Sequence, residues 1–190
     1  VRLPGPIIAN LDGQNDPEMI LTIPTDSDGQ SSVDGAEFIG MEIGSAAEIW
    51  SFEASNGFAD APPTAIDTAG DGQHDRVCWV TWSEENILTR HGHAGCHDLG
   101  TNPSQAWVKS LEREGGNTND EIALSPAAWM DIDGSGEPEL LVAFGRKVWA
   151  YDGEDGTVAD IWGGSITVSH RTWAAPSFAD IDGDATLDMV

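Results

Sequence analysis

The sequence predicts an all-β fold made of repeated four-stranded antiparallel units, and three observations support this class. A nine-residue pattern of oxygen-bearing side chains, with glycine at its fourth position, occurs four times, at residues 10–18, 67–75, 131–139 and 180–188. A proline and a short apolar run precede each copy, and an apolar, β-rich run follows it. In the three complete copies a second alternating apolar segment then runs into a Gly, Asn or Asp turn, which is typical of a strand entering a tight bend. About four strands in roughly 50–65 residues are the content of one blade of a β-propeller.

The order of these signals divides the chain into repeats. We predict one β-propeller segment over residues 1–190, with repeats at approximately 5–61, 62–124, 125–174 and 175–190, the last of which is incomplete. In repeats one and two a tryptophan, Trp50 or Trp107, stands 32 positions after the last acidic residue of the nine-residue pattern. In repeat three the corresponding tryptophan, Trp149, stands 10 positions after it. This difference predicts an insertion between the second and third strands of the first two repeats. Because propeller rings usually contain about 4–8 blades, we expect a partial propeller within a larger chain of seven or eight blades, with a compact four-bladed ring as the alternative.

The four nine-residue patterns, which we call loops 1 to 4, are predicted to bind Ca²⁺. Alternate residues of a tight turn point inward, where they can meet a hard cation that prefers six to eight oxygen ligands. Glycine or asparagine at position 6 suits a positive φ, and only Ala185 breaks that rule. Loop 2 is expected to bind more weakly because Ala69 replaces one ligand. The predicted ligands are Asn10, Asp12, Gln14, Asp16 and Glu18 in loop 1, Asp67, Asp71, Gln73 and Asp75 in loop 2, Asp131, Asp133, Ser135, Glu137 and Glu139 in loop 3, and Asp180, Asp182, Asp184, Thr186 and Asp188 in loop 4.

Loop 4 and its flank carry a resemblance to a known family. Residues 180–188, preceded by Pro176-Ser-Phe-Ala179, resemble the FG-GAP or VCBS-type repeat, which is related to the calcium loops of integrin α-subunit propellers. Residues 148–156 are similar to the second half of such blades and to blades of quinoprotein-like propellers. The resemblance implies a propeller of calcium-stabilised blades on a secreted or cell-surface protein. It does not imply one activity, since this fold carries adhesion modules and several classes of enzyme.

Composition narrows the possible partners. The formal net charge is −25, from 33 acidic and 8 basic residues, and such a balance repels nucleic acids and anionic membranes. No apolar stretch is long enough to span a bilayer, so we expect no direct membrane insertion. The leading hypothesis is a non-catalytic extracellular scaffold, mediating adhesion through a protein or glycan ligand. The alternative, suggested by the resemblance, is part of an enzyme such as a polysaccharide lyase or a quinone-dependent dehydrogenase, and the sequence alone leaves this open.

Three further features are ambiguous in the sequence. Cys78 and Cys96 could form a disulfide, as expected of a secreted chain, or Cys96 could join His91, His93 and His97 in a zinc or copper site. Residues 26–34 repeat the oxygen spacing of the loops without the preceding strand, so they are either a fifth calcium site or a polar loop. The eight tryptophans could bind sugars, but the strand positions of six of them favour packing between blades. Trp162 and Trp173 are the better candidates for exposed contacts.

Overall fold

The computed structural model of the protein describes residues 4–14, 16–26, 35–54, 57–86, 89–100, 102–111, 125–159, 161–170, 172, 174–183 and 188–189. The regular structure in these residues consists of β-strands, which confirms the predicted all-β class. None of these segments forms a helix long and apolar enough to cross a membrane.

The strands form three four-stranded antiparallel sheets and one strand pair. Sheet 1 contains β1 (Ile7–Ala9), β2 (Glu18–Thr25), β3 (Gly35–Glu42) and β4 (Glu48–Glu53). Sheet 2 contains β5 (Thr64–Ile66), β6 (Arg76–Asn86), β7 (Thr89–Asp98) and β8 (Ser104–Leu111). Sheet 3 contains β9 (Ala128–Met130), β10 (Glu139–Phe144), β11 (Lys147–Asp152) and β12 (Ser165–Thr167), and the pair contains β13 (Phe178–Ala179) and β14 (Asp188–Met189). Strands that follow one another in the chain are neighbours in each sheet, so the predicted four-stranded unit is present three times.

The hydrophobic core lies between the sheets. One cluster joins sheets 1 and 2 and includes Phe38, Val77 and Trp79. A second joins sheets 2 and 3 and includes Cys78 and Val80. Because successive side chains of a strand point to opposite faces, β6 supplies both clusters from alternate residues. Sheet 2 is therefore covered on both faces, as a blade inside a propeller must be.

The tryptophans are mostly core residues, as their strand positions predict. Four of them are buried and two are packed against the core. Glycine makes room for two of the indole rings: a Cβ atom on Gly40 would lie 2.5 Å from the ring of Trp50, and one on Gly95 would lie 2.6 Å from that of Trp79. Trp162 is partly buried and Trp173 lies outside the described residues. The buried four are Trp50, Trp79, Trp107 and Trp149, and the packed two are Trp82 and Trp129.

The prediction that Trp50, Trp107 and Trp149 occupy corresponding positions in their repeats is wrong. Trp50 and Trp107 lie on the fourth strands of sheets 1 and 2, whereas Trp149 lies on the third strand of sheet 3. The third and fourth strands carry similar apolar alternation, so the sequence pattern alone does not separate them. The insertion expected in the first two repeats is nevertheless partly present, since its residues lengthen the strands. The β2–β3 and β6–β7 hairpins are longer than the β10–β11 hairpin.

Polar contacts join strands β6 and β8 of sheet 2 to the turn between β11 and β12 of sheet 3. The Arg76 guanidinium pairs with Asp98 at 2.6 Å, and its Nη1 also donates a hydrogen bond to the carbonyl oxygen of Gly153 in the β11–β12 turn. The indole Nε1 of Trp107 donates to the same carbonyl at 3.2 Å. These bonds fix the β11–β12 turn of one sheet against the strands of the next.

Candidate metal centres

Each of the four loops connects the first and second strands of its sheet. Loop 1 follows β1, loop 2 follows β5, loop 3 follows β9 and loop 4 follows β13. The glycine at position 4 has a φ of 76°, 71°, 75° and 80° in the four loops, a conformation that favours glycine. Gly72 and Gly136 at position 6 also have positive φ, at 93° each, which confirms that prediction. Asn15 and Ala185 at the same position of the other loops lie outside the described residues.

Loop 3 brings three acidic side chains together. Oxygen atoms of Asp131, Asp133 and Glu139 all lie within 4.8 Å of one another. The backbone N–H of Gly136 donates to Asp131 at 2.9 Å and that of Ser135 donates to Asp133 at 2.8 Å. Both aspartates are exposed and Glu139 is buried, so the cluster has an open side and a closed base. This arrangement can bind a divalent cation through oxygen ligands.

Loop 4 repeats the same arrangement. Oxygen atoms of Asp180, Asp182 and Asp188 lie within 4.8 Å of one another. The Gly183 N–H donates to Asp180 at 2.6 Å, which holds that carboxylate against the turn. Asp184 and Thr186, the other two predicted ligands of this loop, lie outside the described residues.

One hydrogen bond occurs in phase in all four loops. The carboxylate at position 9 accepts the backbone N–H of position 2, and this fixes the acid at the start of the second strand across the mouth of its loop. In loop 3 the Ile132 N–H donates to Glu139 at 2.8 Å, and in loop 4 the Ile181 N–H donates to Asp188 at 3.0 Å. The other two pairs are Leu11 with Glu18 at 2.5 Å and Thr68 with Asp75 at 2.9 Å. Sequence spacing suggested position 9 as a ligand but did not reveal this backbone contact.

Loop 1 uses amide side chains beside its acids. Asn10 Oδ1 accepts the Gly13 N–H at 2.9 Å, and Asp12 accepts both the backbone and the side-chain N–H of Gln14 at 2.8 Å. Glu18 is buried, with 3% of its surface exposed. The side-chain nitrogen of Gln14 is thus held by Asp12.

In loop 2 the carboxylates bind the loop's own backbone. Asp67 accepts the N–H groups of Gly70 and Gly72 at 2.6 Å each, and these bonds, that of Gly72 first, lower the pKa of Asp67. The side-chain amide of Gln73 donates to the carbonyl oxygen of Leu11 in loop 1 at 2.9 Å. Among the described residues, groups of three acidic or histidine side chains that could hold a metal ion occur at loops 3 and 4. The expected weakness of loop 2 remains a prediction.

Glu139 has the electrostatic environment of a cation ligand. Burial raises the pKa of its carboxyl group, and the negative charges of Asp133 and Asp131 raise it further, while the Ile132 N–H opposes the rise. The pKa of Asp133 is lowered by the hydroxyl and backbone N–H of Ser135. Three carboxylates held this close repel one another, so a divalent cation at their centre removes an electrostatic cost.

The histidine segment does not form the alternative transition-metal site. Cys78 and Cys96 face each other on β6 and β7 and form a disulfide with a Cα–Cα distance of 4.1 Å, which confirms that prediction and excludes a thiolate ligand. The structure also separates the histidines, since four residues along a strand put the Cα atoms of His93 and His97 about 13 Å apart. His97 is buried against Phe52, whereas His91 is exposed. The fifth candidate, residues 26–34, lies almost wholly outside the described residues, with Asp26 described.

Comparison with known proteins supports the resemblance to the FG-GAP repeat. Residues 131–190 match the model of the FG-GAP-like repeat, so the resemblance is confirmed over this part of the chain. No curated protein sequence matches the chain.

Two solved structures are similar to the whole chain in fold. The exotype rhamnogalacturonan lyase YesX has a TM-score of 0.63 and 17% sequence identity, and the rhamnogalacturonan lyase YesW has a TM-score of 0.64 and 16% identity. The match covers 100% of this chain but 38% of YesX and 40% of YesW, so the chain spans about two fifths of the length of these lyases. At this level of identity the similarity concerns the fold.

Proposed function

We propose that the chain is a calcium-binding segment of a β-propeller in an extracellular or cell-surface protein. Calcium ions in loops 1 to 4 hold the first two strands of each blade together, and the blades present a binding surface to a protein or glycan ligand. The segment acts as a scaffold within a larger ring of blades. The observation that carries this proposal is the pair of three-carboxylate clusters at loops 3 and 4.

The charges of these clusters explain why an ion is needed. Carboxylates held this close repel one another, and water weakens this repulsion without removing it. Each cluster contains three such pairs within 4.8 Å. Calcium replaces this repulsion with attraction, and binding to the folded state alone adds about 2.7 kcal/mol per site at a hundredfold excess over Kd. The loops are therefore expected to be stable only when loaded.

The disulfide and the composition support an extracellular location. A disulfide is formed and retained in oxidising compartments, and Cys78 and Cys96 form one inside sheet 2. Calcium is abundant in the same compartments, so low-affinity loops can stay occupied there. The excess of acidic side chains suits a surface that binds cations.

Calorimetric titration of the chelator-treated chain with CaCl₂ tests the calcium function. We expect uptake of several equivalents, and each of the variants Glu139→Gln and Asp188→Asn is expected to remove about one of them. Glu48→Gln is the matched control, because Glu48 is an exposed acid on β4 outside the loops. Absence of calcium uptake, or identical stoichiometry in all three variants, would refute the proposal.

A second candidate function is a part in polysaccharide cleavage. The observation that favours it is the similarity of the whole chain to two rhamnogalacturonan lyases. Since the chain covers about two fifths of those proteins, the activity would belong to the larger protein that contains this segment. Incubation of the calcium-loaded chain with rhamnogalacturonan, followed by the ultraviolet absorbance of the unsaturated product, tests whether the segment itself is a lyase. Absorbance that stays at the level of a boiled control shows that the segment by itself does not cleave the polymer.

A further inference from the structure

Two of the five histidines lie side by side towards the turn of the β6–β7 hairpin. They are His91 and His93 of β7, with Gly92 between them. A Cβ atom on Gly92 would lie 2.8 Å from the ring of Phe144, so Gly92 faces sheet 3. Because successive side chains of a strand point to opposite faces, both histidines lie on the other face of sheet 2. Two residues of strand separate their Cα atoms by about 7 Å.

The cover over this face decreases towards the turn of the hairpin. His97, four residues further along the same face, is buried against Phe52 of sheet 1. His93 is partly buried and His91 is exposed. An ion in solution can therefore reach the pair, whereas it cannot reach His97.

The ring of His93 is inclined along the strand towards His91. In the antiparallel ladder Ser83 of β6 is paired with His91, whereas His93 is paired with Thr81. His93 Nε2 nevertheless lies 3.4 Å from Ser83 Oγ. Directly opposite residues have Cβ atoms about 4.5–5.5 Å apart, so this nitrogen lies close to the position of His91. The exposed His91 side chain can place its ring beside this nitrogen by rotating about its own bonds.

The charge state of His93 suits a metal ligand. Burial lowers the pKa of its ring, and the nearby His91 lowers it further. The ring is therefore mostly neutral at pH 7, and only a neutral imidazole offers a nitrogen lone pair to a metal ion. The contact of 3.4 Å with Ser83 is long for a hydrogen bond, so an ion that displaces the hydroxyl breaks a weak contact.

We propose that His91 and His93 chelate one divalent transition-metal ion of the zinc and copper class, with water in the remaining positions. Imidazole nitrogen is a preferred ligand of these ions, whereas Ca²⁺ prefers oxygen. The site differs from the four-ligand site that the disulfide excludes, because it uses neither Cys96 nor His97. It contains no residue of loops 1 to 4, so it goes beyond the proposed calcium function and does not rest on it.

Calorimetric titration of the calcium-saturated chain with ZnCl₂ at pH 7.5 tests the site. The excess of calcium occupies oxygen sites that zinc could otherwise enter. NMR signals of the imidazole ring protons, recorded in the same titration, show which histidines bind. We expect zinc to shift the ring signals of His91 and His93 and to leave those of His170 in place. Acidification to pH 5 should weaken binding, because protons compete for the ring nitrogens.

Three kinds of variant locate the ion. His91→Gln and His93→Gln should each weaken zinc binding at least about tenfold, since residues that merely support a metal ligand are already worth about 10–100-fold in affinity. Ser83→His adds a third imidazole opposite His91 and should strengthen binding at least about tenfold. His170→Gln is the matched control, because His170 is an exposed histidine that contacts Ser169, and it is expected to leave zinc binding unchanged.

A further control separates the pair from the acidic loops. Glu139→Gln shows whether zinc is instead held by loop 3, and it is also expected to leave zinc binding unchanged. Absence of zinc uptake, wild-type affinity in both His91→Gln and His93→Gln, or loss of uptake in Glu139→Gln or His170→Gln would overturn the proposal. Urea midpoints measured without zinc check that the variants are folded. None of these results changes the expected calcium uptake of the wild type, so the two proposals fail separately.

Discussion

Protonation of His97 is expected to weaken the packing between sheets 1 and 2. Its ring is stacked on Phe52 of β4, with centroids 3.9 Å apart and planes inclined by 14°, and 6% of the residue surface is exposed. The indole Nε1 of Trp79 donates a hydrogen bond to His97 Nδ1 at 3.3 Å. Because an indole N–H can only donate, Nδ1 must be unprotonated, and a proton added there removes the acceptor and buries a charge.

The size of the effect follows from the pKa. Burial lowers the pKa of His97 from 6.5 to about 4, against a smaller opposite effect of Asp98. As the pH falls below 6.5, the unfolded chain binds a proton at His97 before the folded chain does. The contribution of neutral His97 to the free energy of unfolding is therefore fully present above pH 6.5, and it is lost progressively until the pH reaches about 4. At about 1.4 kcal/mol per pH unit, the loss over this interval is on the order of 3 kcal/mol.

Urea denaturation between pH 7 and pH 4.5, in saturating calcium, measures this loss. The variant His97→Phe keeps an aromatic ring against Phe52 but cannot titrate, so its free energy of unfolding should fall less steeply with pH than that of the wild type. It should be less stable at pH 7, because the Trp79 N–H loses its acceptor. His170→Phe is the control, since His170 is exposed and should leave the wild-type slope unchanged. Parallel pH profiles of wild type and His97→Phe would refute the assignment.

Four other predictions concern the sheets and the loops. Replacing Cys78 and Cys96 together by alanine should lower the free energy of unfolding by about 3 kcal/mol, because the disulfide closes a segment of 18 residues. Since both cysteines are fully buried, a reductant added without denaturant should leave the bond intact. Gly95→Val should destabilise the chain by about 2 kcal/mol or more, because its Cβ would meet the Trp79 ring at 2.6 Å, and an unchanged urea midpoint would contradict this. Arg76→Met should cost about 2 kcal/mol in the same assay through loss of the bonds to Asp98 and Gly153. Calcium affinity measured at pH 7 and pH 5 should fall with pH, because the raised pKa of Glu139 makes its carboxyl group bind a proton that calcium must displace.

The parts of the fold that can be predicted from the sequence are those with a local cause. The four loops are recognisable because oxygen spacing and glycine at positions 4 and 6 are properties of a single turn. The four-stranded unit follows from alternation and turn residues, and the structure contains it three times. The disulfide is one of two interpretations that the sequence leaves open, and cross-strand pairing of β6 and β7 decides between them.

The parts that cannot be predicted depend on contacts distant in sequence. The strand position of Trp149 is wrongly predicted because an alternating apolar segment does not show whether it is third or fourth in its sheet. The burial of His97 depends on Phe52 from another sheet, so its neighbours in sequence give no sign of it.

The contacts between loops 1 and 2 would couple the ion sites that we propose for these loops. Asn10, the first predicted ligand of loop 1, donates from its side-chain nitrogen to the Gly72 carbonyl at 2.8 Å, and its own carbonyl accepts the His74 N–H at 2.7 Å. With an ion in each loop, as proposed, the first ion would restrain the neighbouring turn, and the second ion would lose less conformational entropy on binding. By thermodynamic linkage each site would then raise the affinity of the other by the same factor. Loops 1 and 2 would fill with calcium together, over a narrower range of concentration than two independent sites.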